Sequence, residues 1–291
     1  MENRPYIIIS DTTGDLPMQY VKDNGLGMMA ISYEIDGVEY DGMDHILTPK
    51  EFYEKMRSGS MPKTQQINPD QSGQYFTRMI EQGYDILYIA FSSALSGTYQ
   101  SALTAREEVL EKHPNARIEI FDSLSASVGE GLLGHKALQQ KQKGATLDEL
   151  LSWLSENVQH LATYFTVDDL FHLHRGGRVS KTAAVVGSML GIKPVLYVSP
   201  EGKLEPVGKV RGRKQSLTAL VDYLSRLWLE SPENDTVFIS HGDAPEDAQF
   251  VASLVRERVH PKEILVTDIG PCIGAHSGPG TIALAFWGTK R

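Results

Sequence analysis

A chain of 291 residues, 41% of them hydrophobic, can bury one large core or two ordinary ones. Its 28 Lys and Arg stand against 37 Asp and Glu, and the net charge of -9 opposes nonspecific binding to nucleic acid or an anionic membrane. No nucleic-acid partner and at most transient membrane contact are expected, and the single cysteine, Cys272, fits a reducing cytoplasm without a disulfide or a Cys/His metal site.

The chain runs from Met1 to Pro5 straight into apolar residues 6–10, with none of the basic, apolar and small-residue pattern of a secretion signal. Residues 6–10 are the first of several short apolar runs bounded by turn residues; the others are 85–92, 118–122, 236–240 and 264–268. Helical periodicity fills most of the intervals, which predicts an α/β protein with a mostly parallel sheet. Helix starts are signalled by Thr48, Asn68, Thr146 and Asp243, each three residues before an acid or amide, and helix stops by Gly25, Gly59, Gly83 and Gly144. Near Thr163 this alternation gives way to Leu173-His174-Arg175-Gly176-Gly177-Arg178. The change predicts an N-terminal α/β domain over residues 1–163, a C-terminal mixed α/β domain over 164–291, and a ligand in the cleft between them. The most apolar stretch, 183–198, is broken by Ser188, Lys193 and Pro194 and falls short of the roughly 20 residues of a membrane span.

Ligands of open α/β sheets lie outside the carboxyl ends of the strands, where this chain places Asp11-Thr12-Thr13, Ser92-Ser93 and Asp122-Ser123. In the run from Ser92 to Tyr99, Ser96 is expected to cap a helix continuing to Lys112; this start reads either as an anion site or as a turn whose hydroxyls satisfy local backbone. Asp11 reads as ordering its loop through backbone N–H groups, because no further carboxylates with metal-ligand spacing stand nearby. Residues 270–280 hold too much Gly and Pro for regular structure, yet carry His276, which can donate to a carboxylate if the loop approaches a ligand.

Other patterns point away from nucleotide and hydrolase sites. Gly129, Gly131 and Gly134 match G-x-G-x-x-G but start well after the strand ending at Asp122, which favours close helix packing over dinucleotide binding. The Gly202 to Lys209 segment has a gap one residue too long for a P-loop, and Val210 stands where a hydroxyl should hold magnesium. Neither G-x-S-x-G nor H-E-x-x-H occurs. Lys203, Lys209, Arg211, Arg213 and Lys214 form a basic run within an acidic whole, either a solvated face or a patch that docks an acidic partner. Arg175 and Arg178 flank the double glycine, where a guanidinium can support a carboxylate.

Taken in order, these segments resemble the DegV family over nearly the whole chain. The likeness is carried by Asp11-Thr12-Thr13-Gly14-Asp15-Leu16, Lys63-Thr64-Gln65-Gln66, the run from Ser92 to Ala102, Arg175-Gly176-Gly177-Arg178-Val179, Ile192-Lys193-Pro194 and the loop from Gly274 to Gly280. The resemblance implies a two-domain DegV-like fold enclosing a long-chain fatty acid, with no cofactor and no active site of its own. It also implies a separate ATP-dependent kinase that turns the bound acid into an acyl phosphate for phospholipid synthesis. Matching positions assign the carboxylate to Thr64, Ser93, Ser96, Gly97 and His276, with Arg178 in support; the basic residues Lys209, Arg211 and Arg213 are the expected docking face for the kinase. Gln65, Ile67 and Asn68 depart from the family's T-S-Q-P-S stretch. The rival reading is a hydrolase or transferase acting on a small phosphorylated or carboxylated substrate, with Asp11 or Ser96 as nucleophile and His276 as base.

Overall fold

The computed structural model describes residues 4–180, 191–231 and 234–291, so positions 183–190 of the apolar stretch lie outside the described residues. The N-terminal half contains the strands β1 (Tyr6–Asp11), β2 (Gly27–Met29), β3 (Tyr33–Ile35), β4 (Val38–Tyr40), β5 (Lys63–Thr64), β6 (Asp85–Ala90) and β7 (Ile118–Asp122). Its helices are α1 (Met18–Asp23), α2 (Pro49–Arg57), α3 (Pro69–Glu81), α4 (Thr98–Lys112), α5 (Val128–Gln142) and α6 (Leu147–Asn157). The C-terminal half adds β8 (Leu161–Thr166), α7 (Phe171–Arg175), β9 (Ile192–Val198), β10 (Leu204–Arg211), α8 (Arg213–Leu227) and β11 (Thr236–His241). It ends with α9 (Pro245–Val259), β12 (Glu263–Asp268), α10 (Pro271–Ser277) and β13 (Ile282–Trp287).

Parallel pairing in the order β2-β1-β6-β7 forms the first sheet. A strand covered on both faces needs an unbroken apolar run, and Ile86 to Ala90 are all fully buried. Phe76 and Ile80 of α3, with Ala102, Ala105 and Val109 of α4, pack one face against Ile9, Ile86 and Tyr88. Val128, Leu132 and Leu133 of α5 pack the other face against Ile8, Leu87 and Ile89. The second sheet runs β10-β9-β8-β13-β11-β12 and is mixed: only β11 and β12 pair in parallel. Its outer face carries α8 and α9, while Phe165, Leu196, Phe238 and Ala283 on its inner face join the same cluster as α5.

Helix α5 is thus held between two sheets, and every residue from Val128 to Leu138 is buried. Two of its glycines explain how close that contact is. A Cβ on Gly129 would stand 2.3 Å from Thr163 Oγ1 on the second sheet, and one on Gly131 would stand 2.4 Å from the Gly14 carbonyl on the opposite side. The G-x-G pair therefore serves packing of one helix into two layers. The expected boundary at 163/164 falls inside β8.

The antiparallel sheet β4-β3-β5 is a third unit, with Tyr33 and Ile35 packed on Phe52, Tyr53 and Met56 of α2 and on Ile269 and Ala275 beside and within α10. This unit brings the end of β5, and with it Thr64, up to α10.

Thr48, Asn68 and Thr146 close reciprocal capping boxes with Glu51, Gln71 and Glu149. Asp243 does not: it adopts φ 51°, its carboxylate pairs with Arg57, and the cap position of α9 falls to Ala244, which offers no side-chain cap. Gly25, Gly59, Gly83 and Gly144 all take positive φ, from 62° to 101°, where a β-carbon is disfavoured. Replacing Asn68 by Ala is expected to lower stability by about 1 kcal/mol. Urea unfolding checks this, and a midpoint unchanged from the parent would show that α3 does not depend on its cap.

Residues 270–280 are a correction to the expected irregular loop, since Pro271–Ser277 is the helix α10. Its composition fits a short helix at particular positions. Pro271 takes the first turn, where no N–H is needed, and Gly278 ends the helix at φ 80°. Gly274 leaves room for Tyr53, whose hydroxyl would lie 2.5 Å from an added Cβ.

Candidate functional site

Residues that follow β2, β6 and β7, the turn before α4 and the inner face of α10 surround a recess with about 980 Å³ of atom-free space, mouth included. Its walls are mostly apolar and come from several layers: Phe91 and Leu95, Phe165 and Ala283, Leu173, Val198 and Leu204, and Ile269, Cys272 and Ile273. A recess with a mostly apolar lining and a smaller set of polar groups is the usual form of a small-molecule site.

The polar groups are not scattered evenly. Thr64, Ser96, Gly97, Arg178 and His276 are half-buried and Gln66 is exposed, whereas Phe165, Leu173, Val198 and Ala283 are buried. Donors therefore collect at the wet end, while the buried lining is mostly apolar with Ser127, Thr163, Ser277 and Thr281 set among the apolar side chains. Of the residues expected at the site, the fold unites Thr64, Ser96, Gly97, Arg178 and His276 and leaves Ser93 outside. Backbone N–H groups of Leu95 and Ser96 both donate to the Ser92 carbonyl, which puts Ser93 on the outer side of the turn. Ser93 is exposed and its own N–H donates to Asp122 Oδ1 at 3.2 Å.

Ser96 is not the helix cap. Helix α4 starts at Thr98 with Gly97 at the cap position, and Ser96 Oγ accepts from the Thr98 N–H at 3.2 Å. The start of α4 still abuts the recess through Ser96 and Gly97, so the positive end of its dipole favours an anion there. Gly97 has a packing reason to lack a side chain, because a Cβ would fall 2.1 Å from Gln66 Oε1. Gln66 itself, held by its amide N–H to Ser101 Oγ at 3.1 Å, is a lining residue that site assignment from sequence left out. Its place in the Lys63-Thr64-Gln65-Gln66 stretch, where it keeps the family's glutamine, did mark it as a polar contact beside Thr64.

His276 Nε2 lies 2.8 Å from Thr64 Oγ1, while burial and the cations Arg178 and Arg175 pull the imidazole pKa down to about 4. The ring is therefore neutral at pH 7, and the pair has two protons between them. If Nε2–H donates to Thr64, the Thr64 hydroxyl is left to donate into the recess. Arg178 donates from Nε to the Leu95 carbonyl at 3.2 Å and from Nη1 to the Gly176 carbonyl, which fixes its guanidinium at the same end. Burial lowers its pKa from the ordinary arginine value, yet guanidinium remains charged. Arg175 does not line the recess; it donates to the carbonyls of Pro62 and Ala275 and so clamps β5 to α10.

The back of the imidazole rests on Gly176, where an added Cβ would sit 2.3 Å from Nδ1. Backbone strain does not enter, since φ there is -72°. Gly176→Ala is expected to push the ring off Thr64 and weaken anion binding by about threefold to tenfold, the loss of part of one hydrogen bond. Ligand titration with a thermal melt as control checks it; full affinity would show that the ring can move without consequence.

The geometry does not assemble the nucleophile and base of the rival reading. Among the described residues, His276 Nε2 pairs with Thr64 and Ser96 Oγ with Thr98. Asp11 is enclosed: it accepts from Thr13 N at 2.9 Å, Tyr88 OH at 2.6 Å and Phe91 N at 3.4 Å, which is the loop-ordering role its sequence context suggests. Behind it lies a buried acid group that no sequence pattern announced. Glu130 accepts from Ser10 and Thr13, and Asp15 bonds Ser127 and the Gly270 N–H. Burial raises the pKa of Asp11, Glu130 and Asp15, that of Asp15 to about 8.

In the basic run, Lys209 and Arg211 are exposed on β10. Arg213 is committed elsewhere, with Nε 2.7 Å from Asp247 and a second nitrogen 3.6 Å from Asp168. No helix among the described residues is long and apolar enough to cross a membrane.

Comparison with known proteins agrees with this arrangement. The family model described as DegV, a family of uncharacterised proteins, matches residues 6–288. A DegV domain-containing protein of Clostridium perfringens is 47% identical over 289 residues, covering 99% of each chain, and one from Streptococcus pyogenes is 37% identical over 96% of each. The structure of a fatty-acid-binding DegV protein from Thermus thermophilus superposes with a TM-score of 0.87 at 27% identity, covering 98% of this chain and 99% of that one. A stearic-acid-binding protein from Eubacterium ventriosum superposes equally well, at 27% identity over 98% of each chain. With the family match extending over nearly its whole length, and with the parallel and mixed sheets arranged as in those structures, this chain belongs to the DegV family.

Proposed function

We propose that this protein binds one long-chain fatty acid, tail inward, and presents its carboxylate to a separate ATP-dependent kinase that forms the acyl phosphate. The observation that carries the binding step is the polarity gradient of the recess, with Thr64, Ser96, Arg178 and His276 at the wet end and a mostly apolar lining behind them. Each methylene removed from water contributes about 0.8 kcal/mol, so the tail supplies affinity and the donors supply orientation. A carboxylate taken out of water needs charge-assisted hydrogen bonds, which Arg178, the Thr64–His276 pair and the start of α4 provide. The structural relatives described as binding fatty acids support the same class of ligand.

The kinase step has two supports. The head group sits at the accessible end of the recess, where a second protein can reach it, and the chain has no P-loop of its own. Lys209 and Arg211 offer an exposed cationic strip on β10, whose first residue, Leu204, lines the recess. Lys209 stands five positions beyond Leu204 along the strand, roughly 17 Å, a span that one docked partner covers.

Native mass spectrometry of the protein purified from bacteria tests the binding step. One fatty-acid mass per chain is expected, and one equivalent should rebind after delipidation; no retained lipid and no rebinding would overturn the reading. Adding a bacterial fatty acid kinase with ATP should yield acyl phosphate only when the loaded protein is present.

A further inference from the structure

Between β7 and α5 the backbone bends in a way few side chains tolerate. Leu124 adopts φ 48°, and Ser127 adopts φ 52° with ψ -141°, two left-handed positions held by residues other than glycine. Such strain persists only where the surroundings over-determine it, and it gathers at sites with a task. The same turn builds part of the recess, since Ala126 and Ser127 line it.

What holds the turn lies 167 residues away in the chain. Arg291 is only 5% exposed, and its guanidinium is spent on carbonyls. Nη2 donates to Ser123 at 2.9 Å, Nη1 donates to Leu124, and Nε and Nη2 donate to Val158 at 3.1 and 2.9 Å. A buried cation is costly unless its donors are used, and these donors tie together pieces of the recess wall. The turn carries Ala126 and Ser127, while Val158 stands just before β8, whose Thr163 and Phe165 face the recess. Leu124 also supports the β9–β10 hairpin, because a Cβ on Gly202 would stand 3.1 Å from Leu124 Cα, and Ser92 Oγ donates to the Gly202 carbonyl at 2.8 Å. That hairpin supplies Val198 and Leu204 to the lining.

The turn meets the recess away from the head-group anchors. Ser127 Oγ bonds Asp15, and the other oxygen of Asp15 accepts from the Gly270 N–H at 2.8 Å, at the start of α10. His276 lies in the last turn of the same helix, about 9 Å along its axis. We infer that Arg291 is a positioning residue for the acyl tail: by holding the carbonyls of Ser123 and Leu124 it keeps the turn in the shape that completes the tail wall, so that discrimination among tails depends on it and carboxylate capture does not. This rests on the fatty-acid reading above. Arginine suits the task because its planar fork donates in several fixed directions at once, which the compact ammonium of lysine does not reproduce.

Affinities of the delipidated full chain for straight-chain acids from octanoic to octadecanoic acid test this, with a thermal melt of each variant. In Arg291→Met, octanoic acid should bind within about twofold of its affinity for the parent protein, whereas octadecanoic acid should lose about tenfold, the worth of one to two methylenes out of contact at roughly fourfold each. A loss that grows with tail length is not what lowered stability alone produces, since that weakens every acid alike. Arg291→Lys keeps the charge without the fork and should show the same trend with a smaller slope; it decides the matter if the methionine variant does not fold. Equal losses at every length, or none in either variant, would overturn the role of Arg291 and leave the fatty-acid reading standing. If the parent protein binds none of the acids, that reading fails and takes this one with it.

Discussion

Replacing His276 by alanine should weaken long-chain fatty acid binding about tenfold to hundredfold while leaving the thermal midpoint near that of the parent, the range expected when a hydrogen bond to a charged group is lost. The reason lies in the pairing with Thr64. At 2.8 Å the neutral imidazole fixes the direction of the Thr64 hydroxyl, and its Nδ1 is already without a partner, so removing the ring costs the fold little. Thr64 without the ring is free to rotate and offers the carboxylate one poorly directed donor. Thr64→Val should therefore produce most of the same loss. Combining both changes should cost much less than the sum, because each single change already breaks the same relay. Titration calorimetry on delipidated protein decides this; additive losses would mean that Thr64 and His276 reach the ligand independently, and an unchanged affinity for His276→Ala would remove it from the site. The low imidazole pKa, about 4, adds a second reading: affinity should stay flat from pH 8 to pH 6 as far as His276 is concerned.

Much of this site was legible in the sequence, and the misses have specific causes. Strand ends mark where α/β proteins bind ligands, and the polar segments after β6 and β7 pointed to the edge where the recess lies. The tight turn at Ser92 defeated the finer assignment: once Leu95 and Ser96 both bond the Ser92 carbonyl, Ser93 faces solvent, and no propensity distinguishes adjacent serines in a turn. Helix α10 was unreadable for a related reason. Gly and Pro argue for a loop in isolation, but here Pro271 starts a helix, Gly274 admits Tyr53 and Gly278 ends it. Asp243 met the sequence rule for a cap and was drawn off by Arg57, 186 residues away. Arg213 looked like part of a basic surface because Asp168 and Asp247, which neutralise it, are remote in sequence. Periodicity reports what a segment does to its own neighbours; contacts across the chain are set by the layers.

Asp15→Asn is expected to make the protein more stable at pH 8, by an amount on the order of a few kcal/mol, and to leave stability at pH 4 almost unchanged. Asp15 is buried where β1's loop meets the start of α5, and burial raises its pKa from 3.8 to about 8; the hydrogen bonds from Ser127 and the Gly270 N–H pull it down, and the nearby Asp268 and Asp11 push it up. The folded state thus keeps a proton that the unfolded chain releases above about pH 4. Between about pH 4 and 8 the native state binds more protons than the unfolded state, so this group's contribution is complete below 4, declines as the pH rises through that window, and is flat beyond 8. Asparagine reproduces the protonated acid without the titration: its carbonyl can accept from Gly270 N–H and its amide can donate to Ser127 Oγ, which in turn reaches Ser240 Oγ at 2.9 Å. The backbone tolerates the change, since φ is 50° at Asp15 and asparagine is among the residues most at ease there. Guanidinium unfolding of both proteins across the pH range tests the argument. Curves that run parallel from pH 4 to 8 would show that Asp15 is ionised in the folded protein, and that Ser127 and Gly270 hold a carboxylate rather than an acid.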